Sequence, residues 1–205
     1  VEQDFYPTPS KVVDLILQEL DPDPEISFGE PCRGNRVIYD RVPYFNKQWA
    51  ELSDGVDFLK TPMHVDLQVT NPPFSLAEEF LEKSLKEADT VVYLLRLNFL
   101  GSQKRYEFWQ RHQPTHLFVL SERPSFVDVC KGKKEGGMRK SLNTLPTMAL
   151  PSRSQKGCGK TYPSGTGGVC ECGGKIGPGT DATEYCWFGW CRGDIIKRPP
   201  GIYVI

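Results

Sequence analysis

Apolar residues fall at helical spacing in several stretches, with short strand-like runs between them. Lys11–Leu20 puts Val12, Val13, Leu15, Ile16, Leu17 and Leu20 on one face, with Ser10 placed to cap it. The Asp-Pro pairs at 21–24 end that helix. Ile26–Phe28 predicts a short strand, Val37–Phe45 a helix and Gln48–Leu52 a second strand. The turn Ser53-Asp54-Gly55 leads into Val56–Leu59 as a third strand. Val65–Thr70 is a strand, Ser75–Ala88 a helix through Leu76, Phe80, Leu81 and Leu85, and Val91–Leu95 a strand of the buried type. Ser102–His112 predicts a helix, with Thr115–Leu120 and Tyr185–Trp190 as the last strands. Strands alternating with helices predict an α/β fold, a mostly parallel seven-stranded sheet with helices on both faces. Ligands of such sheets bind beyond the carboxyl ends of the strands. The chemistry therefore belongs in the loops after Phe28, Leu52, Val69 and Leu95.

The stretch 129–182 breaks this pattern, being rich in Gly, Ser, Thr, Pro, Lys and Cys with little apolar periodicity. A loop of that length inside a compact domain needs something to order it. The chain of 205 residues thus reads as a catalytic-type domain, 1–128 with 179–205, and an insert, 129–178. A formal charge of −1 and a pI near 6.4 argue against a protein that coats nucleic acid. The total conceals an uneven distribution. Between 129 and 160 stand Lys131, Lys133, Lys134, Arg139, Lys140, Arg153, Lys156 and Lys160 against Glu135 alone, so that segment is +7 and the remainder −8. Mean hydropathy is −0.42 and no apolar run approaches the roughly 18 residues of a membrane span. Seven cysteines, an odd count without a basic-apolar leader, point to a reducing, cytoplasmic setting rather than a disulfide framework.

The chemistry is most legible at Asn71-Pro72-Pro73-Phe74, directly after the strand 65–70. Two prolines fix φ twice and remove two N–H donors, leaving carbonyls exposed at a sharp turn. With the Asn71 side chain they form a rigid cradle of acceptors for an amine that must donate both its hydrogens, and Phe74 offers a flat face beside it. The exocyclic amine of adenine is a poor nucleophile because its lone pair is delocalised into the ring. Two acceptors on its hydrogens favour tetrahedral nitrogen by orientation and preorganised electrostatics, with no strong base required.

These residues resemble the signature of the S-adenosylmethionine-dependent amino-methyltransferases, Asp/Asn/Ser-Pro-Pro-aromatic. Glu30-Pro31-Cys32-Arg33-Gly34 is similar to the family's cofactor loop, although Arg36 stands where its second glycine would be. By that resemblance Glu30, Pro31 and Gly34 would face the methionine end of S-adenosylmethionine, and Asn71 would border it. Glu51 would take the ribose hydroxyls, Asp57 the adenine amine, and Phe58 would pack on the ring. Tyr6, Thr8 and Pro9 would lie against the methionine end. The motif order resembles compact phage or prophage DNA adenine-N6 methyltransferases, helped by Arg123-Pro124-Ser125-Phe126 and Thr180–Tyr185. It implies a Rossmann-like methyltransferase fold acting on double-stranded DNA, with Asn71, Pro72, Pro73 and Phe74 as catalytic residues and the target base flipped out.

In the insert, Cys158 and Cys170-Glu171-Cys172 have the look of zinc-ribbon knuckles with imperfect spacing. Cys130 is the economical fourth ligand; Cys186 and Cys191, five apart on one strand, face opposite sides. A structural Zn2+ would supply folding energy to the insert. Lys131, Lys133, Lys134, Arg139 and Lys140 would then contact phosphate. The same cradle also fits an RNA base or a protein glutamine. Arg36 in the glycine loop motivates a non-catalytic DNA-binding alternative.

Overall fold

A computed structural model describes residues 7–21, 23–130, 160–163, 168–171, 175–178 and 183–205. The chain divides into two compact units, 1–124 with 180–205, and 125–179.

The larger unit is built on seven strands: β1 (Phe28–Glu30), β2 (Lys47–Trp49), β3 (Val65–Thr70), β4 (Ala88–Arg96), β5 (His116–Val119), β9 (Tyr185–Cys191) and β10 (Gly201–Val204). Their order across the sheet is β10-β5-β9-β4-β3-β1-β2, and only β9 runs antiparallel to its neighbours. This is a Rossmann-like doubly wound sheet. Its helices are α1 (Ser10–Leu20), α2 (Val37–Arg41), α3 (Ala77–Glu87) and α4 (Tyr106–Arg111).

Strand alternation assigns the faces. Val91, Tyr93 and Leu95 of β4 join Cys186, Phe188 and Trp190 of β9 in one cluster, with Phe80 and Leu81 of α3 and Phe108 and Trp109 of α4. The intervening Trp187, fully buried, donates its indole N–H to Val12 O of α1 at 3.2 Å, which puts α1 on the other face. Cys186 is buried, while Cys191 at the strand end donates to Gly193 O. Two buried side chains are paired locally: Ser84 with the Tyr93 hydroxyl, and Gln68 through its Nε2 with Met63 O.

Seven strands are present, but not the seven the periodicity suggests. Val56–Leu59 is not a strand of the sheet. Val56 makes only an isolated bridge to Glu51, and Asp57 O then accepts from both Lys60 and Thr61 N–H in a tight turn. The seventh strand is β10, parallel to β5 at the opposite edge, in a tail too short to show a period. The second helix stops at Arg41, because Val42 precedes Pro43 and is held extended at φ −74, ψ 121. Ser10 is the first helical residue rather than its cap; Pro9 occupies the cap position without a side-chain bond.

The smaller unit has a three-stranded antiparallel sheet of β6 (Val127–Cys130), β7 (Thr161–Pro163) and β8 (Ile176–Pro178), in the order β7-β6-β8. Ile176 N–H bonds Gly168 O, and Val169 bridges Lys175. Among the described residues no helix is long and apolar enough to cross a membrane.

Close packing at the middle of β1 yields a stability prediction. A Cβ at Gly29 would stand 2.6 Å from Met63 Sδ and 3.1 Å from Val65 Cγ2. Gly29→Ala is expected to destabilise the fold by about 1–3 kcal/mol, read as a lower urea midpoint with unchanged slope.

Candidate active site

The site follows from the strand order. From β1 the chain crosses to β2 on one side, and it later resumes at β3 on the other. Loops leaving the carboxyl ends of β1 and β3 therefore diverge and open a crevice between them. Glu30-Pro31-Cys32 leaves β1 there, and Asn71-Pro72-Pro73-Phe74 leaves β3. Thr70 Oγ1 donates to Cys32 O at 3.4 Å, joining the two loop bases. Asn71 Nδ2 donates to Thr8 Oγ1 at 3.1 Å, and Thr8 is buried. Three segments that are remote in sequence, around Thr8, Glu30 and Asn71, thus meet at one strand edge.

The loop after β1 is held by acids. Glu51 Oε2 accepts from Gly34 N–H at 2.6 Å, and its Oε1 accepts from the N–H and hydroxyl of Ser53. Gly34 (φ 50) and Arg36 (φ 67) are both left-handed. Arg36 therefore occupies the conformation a second glycine would take freely, at a cost of about 1 kcal/mol. Arg33 lies over the Trp49 ring at 3.5 Å and bonds Asp54 at 2.6 Å. Glu30 is 2% exposed, and its Oε2 has no hydrogen-bond partner among the described residues. Burial pushes its carboxyl well above the ordinary range, against the pull of the Tyr39 backbone N–H and of Arg33. Burial, then Glu51 and Glu30, push the Cys32 thiol up to about 12, so it is neutral and no nucleophile.

On the β3 side Pro72 is buried, and Pro73 leads into a single tight helical turn, Phe74–Leu76. Phe74 is half-buried beside Tyr185 at the start of β9, ring centroids 6.2 Å apart. Arg96, the last residue of β4, sets its guanidinium 4.9 Å from the Phe74 ring centre, and its Nε donates to the Tyr185 hydroxyl at 3.4 Å. Arg96 was not among the residues expected at the site. A cation directly after the apolar run Val91–Leu95, at a carboxyl strand end, is the signal that marks it.

The other expected residues are placed as follows. Pro9 caps α1, and Pro31 is buried at the base of the β1 loop. Asp57 accepts from Leu59 N–H and pairs with Lys60 at 3.0 Å; that bond and the Leu59 amide hold its carboxyl below the ordinary range. Phe58 is a core side chain, 5.0 Å from Phe80. Cys170 is buried against Ile176 and Tyr162, whose hydroxyl donates to its Sγ at 2.9 Å. Tyr6, Cys158, Cys172, Lys131, Lys133, Lys134, Arg139 and Lys140 lie outside the described residues; of Cys130 only the backbone, in β6, is described. Among the described residues no group of three His, Cys, Asp or Glu gathers as a metal site.

No family model matches the chain, and no curated protein matches it. Solved structures to which it is similar include a Pyrococcus horikoshii protein described as an RNA methyltransferase. That match has 17% identity and TM-score 0.47, over 57% of this chain and 76% of that one. A protein of Listeria monocytogenes described as a class I S-adenosylmethionine-dependent methyltransferase matches at 15% identity and TM-score 0.42, over 56% of this chain and 55% of that one. The precorrin-6y C5,15-methyltransferase of Geobacter metallireducens matches at 12% identity and TM-score 0.45, over 93% and 92%. Likeness of this degree brings neither activity nor substrate to this chain.

Glu30 gives a pH prediction. Its raised carboxyl keeps in the folded state a proton that the unfolded chain releases, so its contribution is present at low pH and lost as pH rises through the raised value. Glu30→Gln is expected to remove that loss, so the variant gains on the wild type as pH rises from the ordinary glutamate range. Urea unfolding across pH measures it; a gap independent of pH would contradict it.

Proposed function

We propose that the chain transfers a methyl group from S-adenosylmethionine to the N6 amine of adenine in DNA. The observation that carries this reading is the meeting of the Glu30 loop and Asn71-Pro72-Pro73-Phe74 at the crevice between β1 and β3, with the Asn71 amide held by Thr8.

The residues present fit the cofactor. Glu30 Oε2, buried with no partner among the described residues, suits a cation, and the α-ammonium of S-adenosylmethionine is one. Glu30, Pro31, Gly34, Thr8 and Pro9 would hold its methionine end. Glu51, half-exposed, keeps carboxylate lone pairs for ribose hydroxyls beside the bonds it already accepts. The bound cofactor supplies an electrophilic methyl on a sulfonium.

The chain's own residues orient the acceptor. Asn71 Oδ1 and the Pro72 carbonyl accept the two amine hydrogens and turn the nitrogen lone pair out of conjugation. Neither proline offers a competing N–H, and burial of Pro72 keeps water from the acceptors. Phe74 stacks on the flipped base.

The insert would grip the duplex through Lys131, Lys133, Lys134, Arg139 and Lys140, supported by the +7 charge of 129–160. We propose further that Cys130, Cys158, Cys170 and Cys172 hold a structural zinc ion. The Val169–Lys175 bridge, which brackets Cys170 and Cys172 along the sequence, supports this.

The decisive experiment supplies S-adenosylmethionine with a labelled methyl and offers duplex DNA, RNA and protein acceptors. N6-methyladenine in DNA is expected; label only in RNA or in protein glutamine would overturn the substrate assignment. An absence of cofactor binding by calorimetry would favour a non-catalytic DNA-binding module. In the same assay Asn71→Ala is expected to lower kcat by about 10²–10³ while cofactor affinity changes by less than about threefold. Metal analysis of the purified chain is expected to give about one zinc per molecule.

A further inference from the structure

Arg96 is the side chain at this edge that neither the acceptor cradle nor the cofactor loop uses. It is half-buried at the end of β4, its guanidinium 4.9 Å from the centre of the Phe74 ring and its Nε bonded to Tyr185. Tyr185 is fully enclosed, so the aromatic pair Phe74–Tyr185 is a fixed seat. The ring that Arg96 covers is the one a target base would stack on. A base and a guanidinium compete for that position, and base–aromatic stacking is the stronger of the two.

We propose that Arg96 is a positioning residue that holds the place of the target base on Phe74 and, when the base enters, turns outward onto the phosphate flanking it. The inference rests on the adenine reading above. The chemistry suits both states. A planar cation stacks on an aromatic ring while the seat is empty, and the same group makes bidentate bonds to a phosphate once displaced. The exchange ties occupation of the pocket to a backbone contact, so that a base enters most favourably when it brings a phosphate with it.

Two ligands separate this role from a merely structural one. Adenosine carries the base and no phosphate; a short adenine-containing oligonucleotide carries both. Arg96→Ala removes the competitor for Phe74, so adenosine is expected to bind about threefold more tightly. The same variant loses the phosphate contact. Oligonucleotide affinity is expected to fall by about five- to tenfold, and the slope of log K against log salt to lessen by about one. Arg96→Lys is expected to restore the salt slope, because it keeps the point charge, and to retain the tighter adenosine binding, because it lacks the planar face.

Affinities that move in the same direction for both ligands in Arg96→Ala, or an unchanged salt slope, would overturn the role of Arg96 while leaving the adenine reading in place. A wild-type protein that binds neither ligand, with cofactor present, would overturn both. Arg96→Lys keeps the test decisive should the alanine variant fold poorly.

Discussion

The parallel pairing of β1 with β3 is the constraint on which the site depends. Phe28 and Gly29 lie in register with Leu67 and Gln68, so the two strands end side by side. Because the chain leaves β1 toward β2 and reaches β3 from the other direction, their following loops part company at that end. The Glu30 and Asn71 loops acquire a shared crevice from topology, without any direct bond between the two side chains. Gly29 is part of that constraint: the near approach of Met63 and Val65 leaves no room for a Cβ at the strand centre.

Around this edge, polar groups are spent on fixing backbone. Glu51 straps Gly34, Thr70 reaches Cys32, and Asn71 is anchored on Thr8. Each bond crosses a long gap in sequence, and each sits where both partners are at least partly shielded from water, which strengthens it and makes its loss costly. Glu30 contrasts with these groups. It remains buried with one oxygen unpaired among the described residues, and its raised pKa expresses the same imbalance. Strain at Arg36 lies in the same loop. A folded chain that carries both costs within one short loop concentrates its instability at the crevice, as functional sites commonly do.

Much of the fold was legible along the chain because its signals are local. The apolar run at Val91–Leu95, the amphipathic faces of α1 and α3, and the Pro-Pro turn after Thr70 all declare themselves within a few residues. The misjudged elements lack such signals. Val56–Leu59 has strand composition, but Asp57 is drawn into a turn by Lys60 and Thr61, and Phe58 is taken by the core. β10 is a short tail whose strand character comes wholly from pairing with β5. Arg96 carries a faint local mark, and its relation to Phe74 and Tyr185 joins the ends of three strands.

The sequence by itself determined the α/β class, the proline-stiffened turn of Asn71-Pro72-Pro73-Phe74 and the acidic, glycine-bearing loop at Glu30–Gly34, because residue type and short-range spacing suffice for these. Only the tertiary structure decided that Thr8 meets Asn71, that Glu51 is already engaged by Gly34, that Arg96 covers Phe74 and that the edge strand is β10. Those relations are contacts between segments tens of residues apart. Strand order and burial create them, and no local pattern encodes strand order.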